Sequence, residues 1–187
     1  MTFISGTGLL HFLQRTANRS LIDYVYGVEA GMDTNARKNR SGTQNEEILE
    51  LSLLNMTRNT NWEYLVQATA QHIKSDWGVE VPEVVSAKKV GGRRYDGAVF
   101  NPEKNSVTLI ETNFYGGGGS KLKAVSGEFT VLNAEVKTGQ ENIEFVWISD
   151  GPGWDTARNP MMEAFKHIPY IINLEMVKNG LLKEIIE

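Results

Sequence analysis

The chain has 187 residues, a net charge of −4 and no cysteine. Its hydrophobic (41%) and charged (22%) fractions are ordinary for a globular protein, and we expect a single domain over residues 1–187. The lack of cysteine excludes disulfides and thiolate metal sites and is compatible with a reducing cytoplasm, our expected location. No apolar run approaches the roughly 20 residues of a membrane span, and no secretory signal is visible.

The first half of the chain is predicted to be mainly helical, because apolar residues recur at helical spacing between polar, turn-forming segments. The helix predicted at Asn61–Trp77 has Thr60 or Asn61 as its expected N-cap and Gly78 as its expected end. The predicted elements are two short helices between Leu9 and Val28, a polar, basic loop at Gly31–Gly42, helices at Thr43–Met56 and Asn61–Trp77, and a strand at Val79–Val85.

A β-hairpin is predicted at Tyr95–Asn113. Its loop, Asn101–Ser106, is rich in turn formers and contains a proline that cannot join a strand ladder. If the hairpin is symmetric about this loop, three cross-strand pairs follow: Phe100 with Val107, Ala98 with Leu109, and Asp96 with Glu111.

The second half of the chain alternates helices and strands. The predicted elements are a break at Gly116–Gly119, a helix at Ser120–Gly139, a strand at Ile143–Ser149, a helix at about Asp155–His167, a strand at Tyr170–Leu174 and a helical tail. Helices before a hairpin, followed by this alternation, predict an α/β fold with a mixed β-sheet flanked by helices.

The hairpin predicts a metal site. Directly opposed residues have Cβ atoms roughly 4.5–5.5 Å apart, so Asp96 and Glu111 would repel each other unless a cation lay between them. Asn113 returns to the face of Glu111 because side chains alternate along a strand. Two carboxylates suit a hard, oxygen-preferring ion such as Mg²⁺.

The pattern Asp96…Glu111-x-Asn113 resembles the PD-(D/E)xK nuclease hairpin, with asparagine in place of the usual lysine. Wider similarity is to the MboI/DpnII type II restriction endonucleases. It lies in four blocks: Arg37–Thr43, Arg94–Gly97, Ile110–Leu122 and Trp147–Trp154. Members of that family usually carry a substantial region before the part matched here, so we expect a compact version or one that lacks a helical N-terminal portion.

The resemblance implies a PD-(D/E)xK nuclease-like fold and Mg²⁺-dependent hydrolysis of double-stranded DNA at GATC, leaving a 5′-phosphate and a 3′-hydroxyl. A palindromic site implies a homodimer, and an adenine methyltransferase is the expected genetic partner. Two rival functions stay open: a DNA-binding remnant that does not cleave, and a structure-selective DNA repair nuclease.

The same resemblance suggests roles for three further residues. Asn113 would position water or phosphate, although an amide is no useful base. Lys121 would supply the missing positive charge, or act as a phosphate contact or a solvated helix lysine. Glu46 would be a third metal ligand, with Glu47 as the fallback; the alternative is a capping box, Thr43-x-x-Glu46.

Basic segments without acids flank the hairpin in sequence, as loops that contact phosphate would. Asn35, Asn39 and Arg40 could read base edges, although the sequence does not separate base from phosphate contacts. The alternative is that all these residues are solvated surface charges. The candidate DNA-binding residues are Asn35, Arg37, Lys38, Asn39, Arg40, Arg93, Arg94 and Lys123.

Two other patterns carry no site. The Walker phosphate loop requires Gly-Lys followed by Ser or Thr. Here Ser120 separates the glycine run from Lys121, and Leu122 follows the lysine, so ATP binding is not expected. The three histidines have no metal-ligand spacing. Trp154, with Gly151 and Gly153, is more typical of a packed turn than of a platform on which bases stack.

Overall fold

A five-stranded mixed sheet lies between two layers of helices. The structure, a computed structural model, describes residues 46–82, 85, 92–139 and 142–187. The strands are β1 (Glu63–Thr69), β2 (Arg94–Asn101), β3 (Ser106–Phe114), β4 (Ile143–Asp150) and β5 (Ile171–Ile172). The helices are α1 (46–57), α2 (Ala70–Trp77), α3 (Ser120–Gly139), a 3₁₀ helix (Pro152–Thr156), α4 (Arg158–Ala164), α5 (Leu174–Lys178) and α6 (Leu181–Ile186).

The strands lie side by side in chain order, β1-β2-β3-β4-β5. β2 runs antiparallel to both of its neighbours, β1 and β3, whereas β4 and β5 continue the sheet in parallel from β3. The parallel step from β3 to β4 needs a long crossover connection, and α3 provides it. The predicted α/β architecture, a mixed sheet flanked by helices, is therefore confirmed.

The register of the predicted hairpin is also confirmed over the pairs that form. Ala98 pairs with Leu109 and Phe100 with Val107. The turn is set by Asn101, whose Oδ1 accepts hydrogen bonds from the Glu103 and Lys104 backbone N–H groups at 3.1 and 3.4 Å. The ladder ends at Gly97–Ile110, one step before Asp96 and Glu111.

Each face of the sheet has its own core. On one face, Phe129, Leu132 and Val136 of α3 pack with strand residues such as Leu109 and Trp147. On the other face, apolar side chains of α1, α5 and α6 pack against inner residues of β2, β3 and β4. Burial of both faces explains why β4 is a near-continuous apolar run rather than an alternating one.

The helix predicted at Asn61–Trp77 is wrong in its first half. Glu63–Thr69 is an edge strand that pairs with β2, with Leu65 and Tyr64 packed into the cores on opposite faces. Pairing with a neighbouring strand overrides local helical propensity here. The remainder, Ala70–Trp77, is helical; Thr69 caps it through His72 N–H (3.2 Å), and Gly78 ends it with φ +69°.

Four other predicted elements differ from the structure. No strand forms in the described part of Val79–Val85, although Val79, Val81 and Val85 are buried. The helix predicted at Asp155–His167 is divided into the 3₁₀ helix and α4. The strand at Tyr170–Leu174 is reduced to Ile171–Ile172, and the tail forms two short helices because Gly180 adopts φ +95°.

Some predicted elements lie outside the described residues: the helices between Leu9 and Val28 and the loop at Gly31–Gly42. In the ranges that the structure does describe, no helix is long and apolar enough to cross a membrane.

Gly97 allows α1 to lie close to β2. A Cβ atom at this position would be 3.1 Å from Leu53 Cδ1 and 3.3 Å from Leu49 Cδ2. We expect Gly97→Val to lower the free energy of unfolding by about 1–3 kcal/mol, because the added methyl groups overpack this contact. Chemical denaturation measures the change. Gly116→Val is the control, since no described atom lies within 4 Å of a Cβ there; equal stability of the two variants would contradict the prediction.

Candidate active site

Asp96 lies where β2 separates from β3. The backbone pairing between β2 and β3 stops at Gly97. Beyond it, the Asp96 side chain joins the two strands, because its Oδ2 accepts a hydrogen bond from the Thr112 backbone N–H at 2.8 Å. Gln67, next to this point on β1, has φ +51°, so the β1–β2 ladder is distorted here too. Asp96 is half-buried. Its carboxylate is thus held against β3, one residue from Glu111.

Glu111 is a buried carboxylate with a buried counterion. It is 9% exposed, and its Oε1 lies 3.2 Å from Arg93 Nη2. Arg93 is 8% exposed and also contacts Glu128 of α3, with an Nη2–Oε1 distance of 3.1 Å. The guanidinium lies over the rings of Tyr95 and Phe129, at 5.5 and 5.8 Å from their centroids. Two carboxylates therefore share one arginine on the α3 side of the sheet.

Two buried tyrosines near Glu111 have raised pKa values. Burial and, to a lesser extent, the carboxylates of Glu128 and Glu111 raise the pKa of Tyr115 to about 12. Burial likewise raises the pKa of Tyr95, where Arg93 acts in the opposite direction. Both hydroxyls stay protonated at neutral pH, so neither tyrosine acts as a base.

Asn113 is held by a tryptophan. Its side-chain Oδ1 accepts a hydrogen bond from Trp147 Nε1 at 3.0 Å. Asn113 is half-buried, and Trp147 is fully buried and lies opposite Glu111 in the parallel β3–β4 register. Asp96, Glu111 and Asn113 therefore lie at adjoining positions of β2 and β3.

The turn after β4 packs directly on the end of β3. The Tyr115 backbone N–H donates to Asp150 O at 2.9 Å, and Gly153 N–H donates to Tyr115 O at 2.8 Å. A Cβ atom at Gly151 or Gly153 would collide with this backbone. Trp154 contacts the Tyr115 ring edge-on at 5.4 Å. The packed turn expected for Trp154 and its glycines is thus observed.

The glycine run lies between this turn and α3. A Cβ atom at Gly118 would collide with the Thr156 side chain, so the run is packed at that point. α3 then begins at Ser120, with no acidic residue in its first turn. Lys121 and Lys123 are exposed in that turn and the next, where they are available to an anionic partner.

Glu46 is exposed at the start of the described part of α1. Within the described ranges, no group of three or more His, Asp or Glu side chains is placed to hold a metal ion. The structure therefore brings Asp96 to Glu111 but does not gather Glu46 with them, and its metal role stays a prediction. Glu47, the fallback, is exposed in the same turn.

The predicted DNA-binding residues divide into three groups. Asn35, Arg37, Lys38, Asn39 and Arg40 lie outside the described residues. Arg94 and Lys123 are exposed. Arg93, which the sequence placed among the DNA contacts, is buried and ion-paired with two carboxylates, so its described contacts are internal. Burial separates these two neighbouring arginines, although both lie in the same basic segment.

Sequence reasoning missed Glu128 and the bond from Trp147. In the sequence, Glu128 has the features of an ordinary acidic residue on a solvent-exposed helix face. For Trp147, the available signal in the sequence is its place in a strand predicted to be buried.

A family profile described as DpnII restriction endonuclease matches residues 1–184. The chain belongs to this family. Three relatives are type II restriction enzymes: LlaDCHI of Lactococcus lactis subsp. cremoris (55% identity over 185 residues), MjaIII of Methanocaldococcus jannaschii (48% over 185) and DpnII of Streptococcus pneumoniae (34% over 184).

These alignments cover 99%, 98% and 98% of this chain but only 59%, 62% and 62% of the respective relatives. The chain thus spans about three-fifths of the length of these members of the DpnII family. A solved structure, MunI restriction endonuclease in complex with cognate DNA, matches with a TM-score of 0.34 and 12% identity over 63% of this chain and 75% of that one. That score is too low to bear on function.

The Arg93–Glu111 pair generates a stability prediction for this family member. Arg93→Met should lower the free energy of unfolding by about 3–5 kcal/mol, because it removes the buried counterion of Glu111. Adding Glu111→Gln should recover much of the loss, since the buried charge is then gone. Urea denaturation measures both.

Lys74→Met is the control for this prediction. It breaks an exposed ion pair with Glu80, and such pairs contribute roughly 0–1 kcal/mol. If Arg93→Met were no more destabilising than Lys74→Met, the buried pair would not stabilise the site.

Proposed function

We propose that this chain is a Mg²⁺-dependent type II restriction endonuclease with a PD-(D/E)xK-like site that hydrolyses double-stranded DNA at GATC. The observation that carries the proposal is the convergence of Asp96, Glu111 and Asn113 on neighbouring positions of β2 and β3. Membership of the DpnII family supports the reaction type. The GATC target follows from the family resemblance, and we take residues 1–187 as one catalytic domain.

Asp96 and Glu111 are the residues that would hold the metal. Both present carboxylate oxygens, the donors that Mg²⁺ prefers. A carboxylate has about four lone-pair positions, so the bonds to Thr112 N–H and Arg93 are compatible with a metal contact. A bound Mg²⁺ ion supplies polarisation of a phosphate oxygen and a lowered pKa for water.

The protein supplies position and charge around the phosphate. The amide of Asn113 can donate hydrogen bonds to an anionic oxygen, but it cannot take a proton. Lys121, exposed in the first turn of α3, supplies positive charge without an acidic neighbour in that turn. Arg94 is the alternative, as an exposed cation beside Tyr95 at the start of β2.

The partners follow from the proposed target. GATC is palindromic, so two active sites related by twofold symmetry would cut both strands, and we propose a homodimer on double-stranded DNA. The products would carry a 5′-phosphate and a 3′-hydroxyl. An adenine methyltransferase would protect the host's own GATC sites.

A plasmid digest tests the proposed function. Unmethylated and adenine-methylated plasmids are incubated with the protein, with and without Mg²⁺. We expect discrete fragments ending at GATC, with 5′-phosphates, in the Mg²⁺ reaction on at least the unmethylated plasmid. Fragments that follow DNA structure rather than sequence would instead support a repair nuclease.

Asp96→Asn should abolish cleavage in this digest, because it removes one of the two metal-binding carboxylates. DNA binding should be unchanged or tighter, since a charge that repels phosphate is lost. Gel-shift titration measures binding and the digest measures cleavage. Asp76→Asn is the control, an exposed acid in α2. Cleavage by Asp96→Asn at the wild-type rate would place the site elsewhere.

The second candidate function is a DNA-binding protein that does not cleave. One observation favours it: Glu111 is already paired with the buried guanidinium of Arg93, which competes with a cation. Binding to DNA without fragments, at every Mg²⁺ concentration tried, would support this candidate over the nuclease.

Lys121 gives a prediction about DNA binding that does not depend on cleavage. Lys121→Ala should weaken binding and reduce the slope of log affinity against log salt by about one, the effect of one lost phosphate contact. Lys137→Ala is the matched control: it lies at the other end of α3, roughly 24 Å along the helix axis at about 1.5 Å per residue. Equal slopes for the two variants would place Lys121 away from the duplex.

A further inference from the structure

The bond between Trp147 and Asn113 fixes which end of the amide faces outward. An indole N–H is a donor only, so the atom 3.0 Å from Trp147 Nε1 must be an acceptor, the Asn113 side-chain oxygen. The amide NH₂ group then points away from Trp147. Because Asn113 is only half-buried, this NH₂ group is the part of the side chain that can meet a ligand.

The tryptophan is itself held in place. The Trp147 ring contacts Phe129 at 5.1 Å and Trp154 at 5.6 Å, both edge-on, and it is fully buried. Trp154 is held in turn by a bond from its Nε1 to Ser149 Oγ at 3.0 Å. Rotation of the Trp147 ring would break these contacts, so the indole N–H has one available direction.

We propose that Trp147 is a positioning residue that makes Asn113 a hydrogen-bond donor to an anionic oxygen of the DNA phosphate. The inference rests on the proposed function. In the commoner motif, a lysine at this position donates hydrogen bonds and also carries a positive charge. Asn113 takes the donor role but not the charge. The oxygen of Asn113 accepts the indole N–H, and its NH₂ group is the part assigned to the DNA.

The donor role is tested by comparing Asn113→Asp with Asn113→Ala. Aspartate keeps an oxygen for Trp147 but replaces the NH₂ donor with a second acceptor that carries negative charge. We expect Asn113→Ala to slow single-turnover cleavage of a short GATC duplex by roughly 10²-fold, the scale of losing one positioned polar group, and Asn113→Asp to be at least as slow. If Asn113→Asp cut at the wild-type rate or faster, Asn113 would be an acceptor or a metal ligand, and the inference would fail.

The positioning role is tested with Trp147→Phe, which keeps an aromatic ring and removes the N–H. We expect a loss of about 10- to 100-fold in the single-turnover rate, typical of removing a group that orients a site residue. The Mg²⁺ concentration for half-maximal rate should stay unchanged. In an Asn113→Ala background, Trp147→Phe should cause no further loss, because the side chain that it orients is gone.

Trp77→Phe is the matched control, since it removes an indole N–H that bonds Glu63 at the edge of the sheet. A Trp147→Phe rate equal to that of this control, or equal losses from Trp147→Phe with and without Asn113, would make Trp147 a packing residue only. If Trp147→Phe does not fold, as judged by thermal unfolding, the comparison of Asn113→Asp with Asn113→Ala decides the inference.

An NMR experiment separates failure of this inference from failure of the proposed function. The Asn113 side-chain NH₂ signals, assigned from their absence in Asn113→Ala, are followed as a GATC duplex is added to the wild-type protein without metal. A shift in these signals from a protein that does not cleave would retain the donor role and reject the nuclease. Unshifted NH₂ signals in a protein that does cleave would reject the donor role alone.

Discussion

The register between β2 and β3 is the constraint on which the candidate site depends, because it decides which side chains meet at the open end of the hairpin. Asn101 closes the turn, the ladder runs to Gly97–Ile110, and Asp96 then reaches across to Thr112 N–H. A shift of one residue would turn Glu111 to the other face, into the core formed with α1. The core that fixes the fold therefore also fixes the acids.

Electrostatics makes this arrangement costly without a counterion. Asp96 and Glu111 carry like charges on neighbouring strand positions, and Glu111 is buried, so both repulsion and desolvation are unfavourable. Arg93 offsets this cost by pairing with Glu111, and Glu128 of α3 forms a second ion pair with Arg93. A divalent ion at the site would share this task. Arg93 would then keep Glu128 as a partner, so neither group would be left without a counterion.

The sequence predicted the parts of the fold and site that are local. Turn formers between two β-rich runs were enough to place the hairpin, and alternation was enough to set Asn113 beyond Glu111. Glu63–Thr69 was mispredicted because its strand conformation depends on pairing with β2, which lies some 30 residues away. The Arg93–Glu128 and Trp147–Asn113 contacts likewise join residues 35 and 34 apart, and no spacing rule encodes them.

The asparagine at position 113 can be understood from its partner rather than from the motif alone. Trp147 Nε1 is buried and can only donate, so position 113 must offer an acceptor to satisfy it. A lysine there would bring a charge to the phosphate but leave the indole N–H unsatisfied, at a cost of about 1–3 kcal/mol. An amide offers an acceptor to Trp147 and donors to the ligand. Under the proposed function, the positive charge that the lysine would have carried comes from a separate element, and Lys121, exposed at the start of α3, is our candidate.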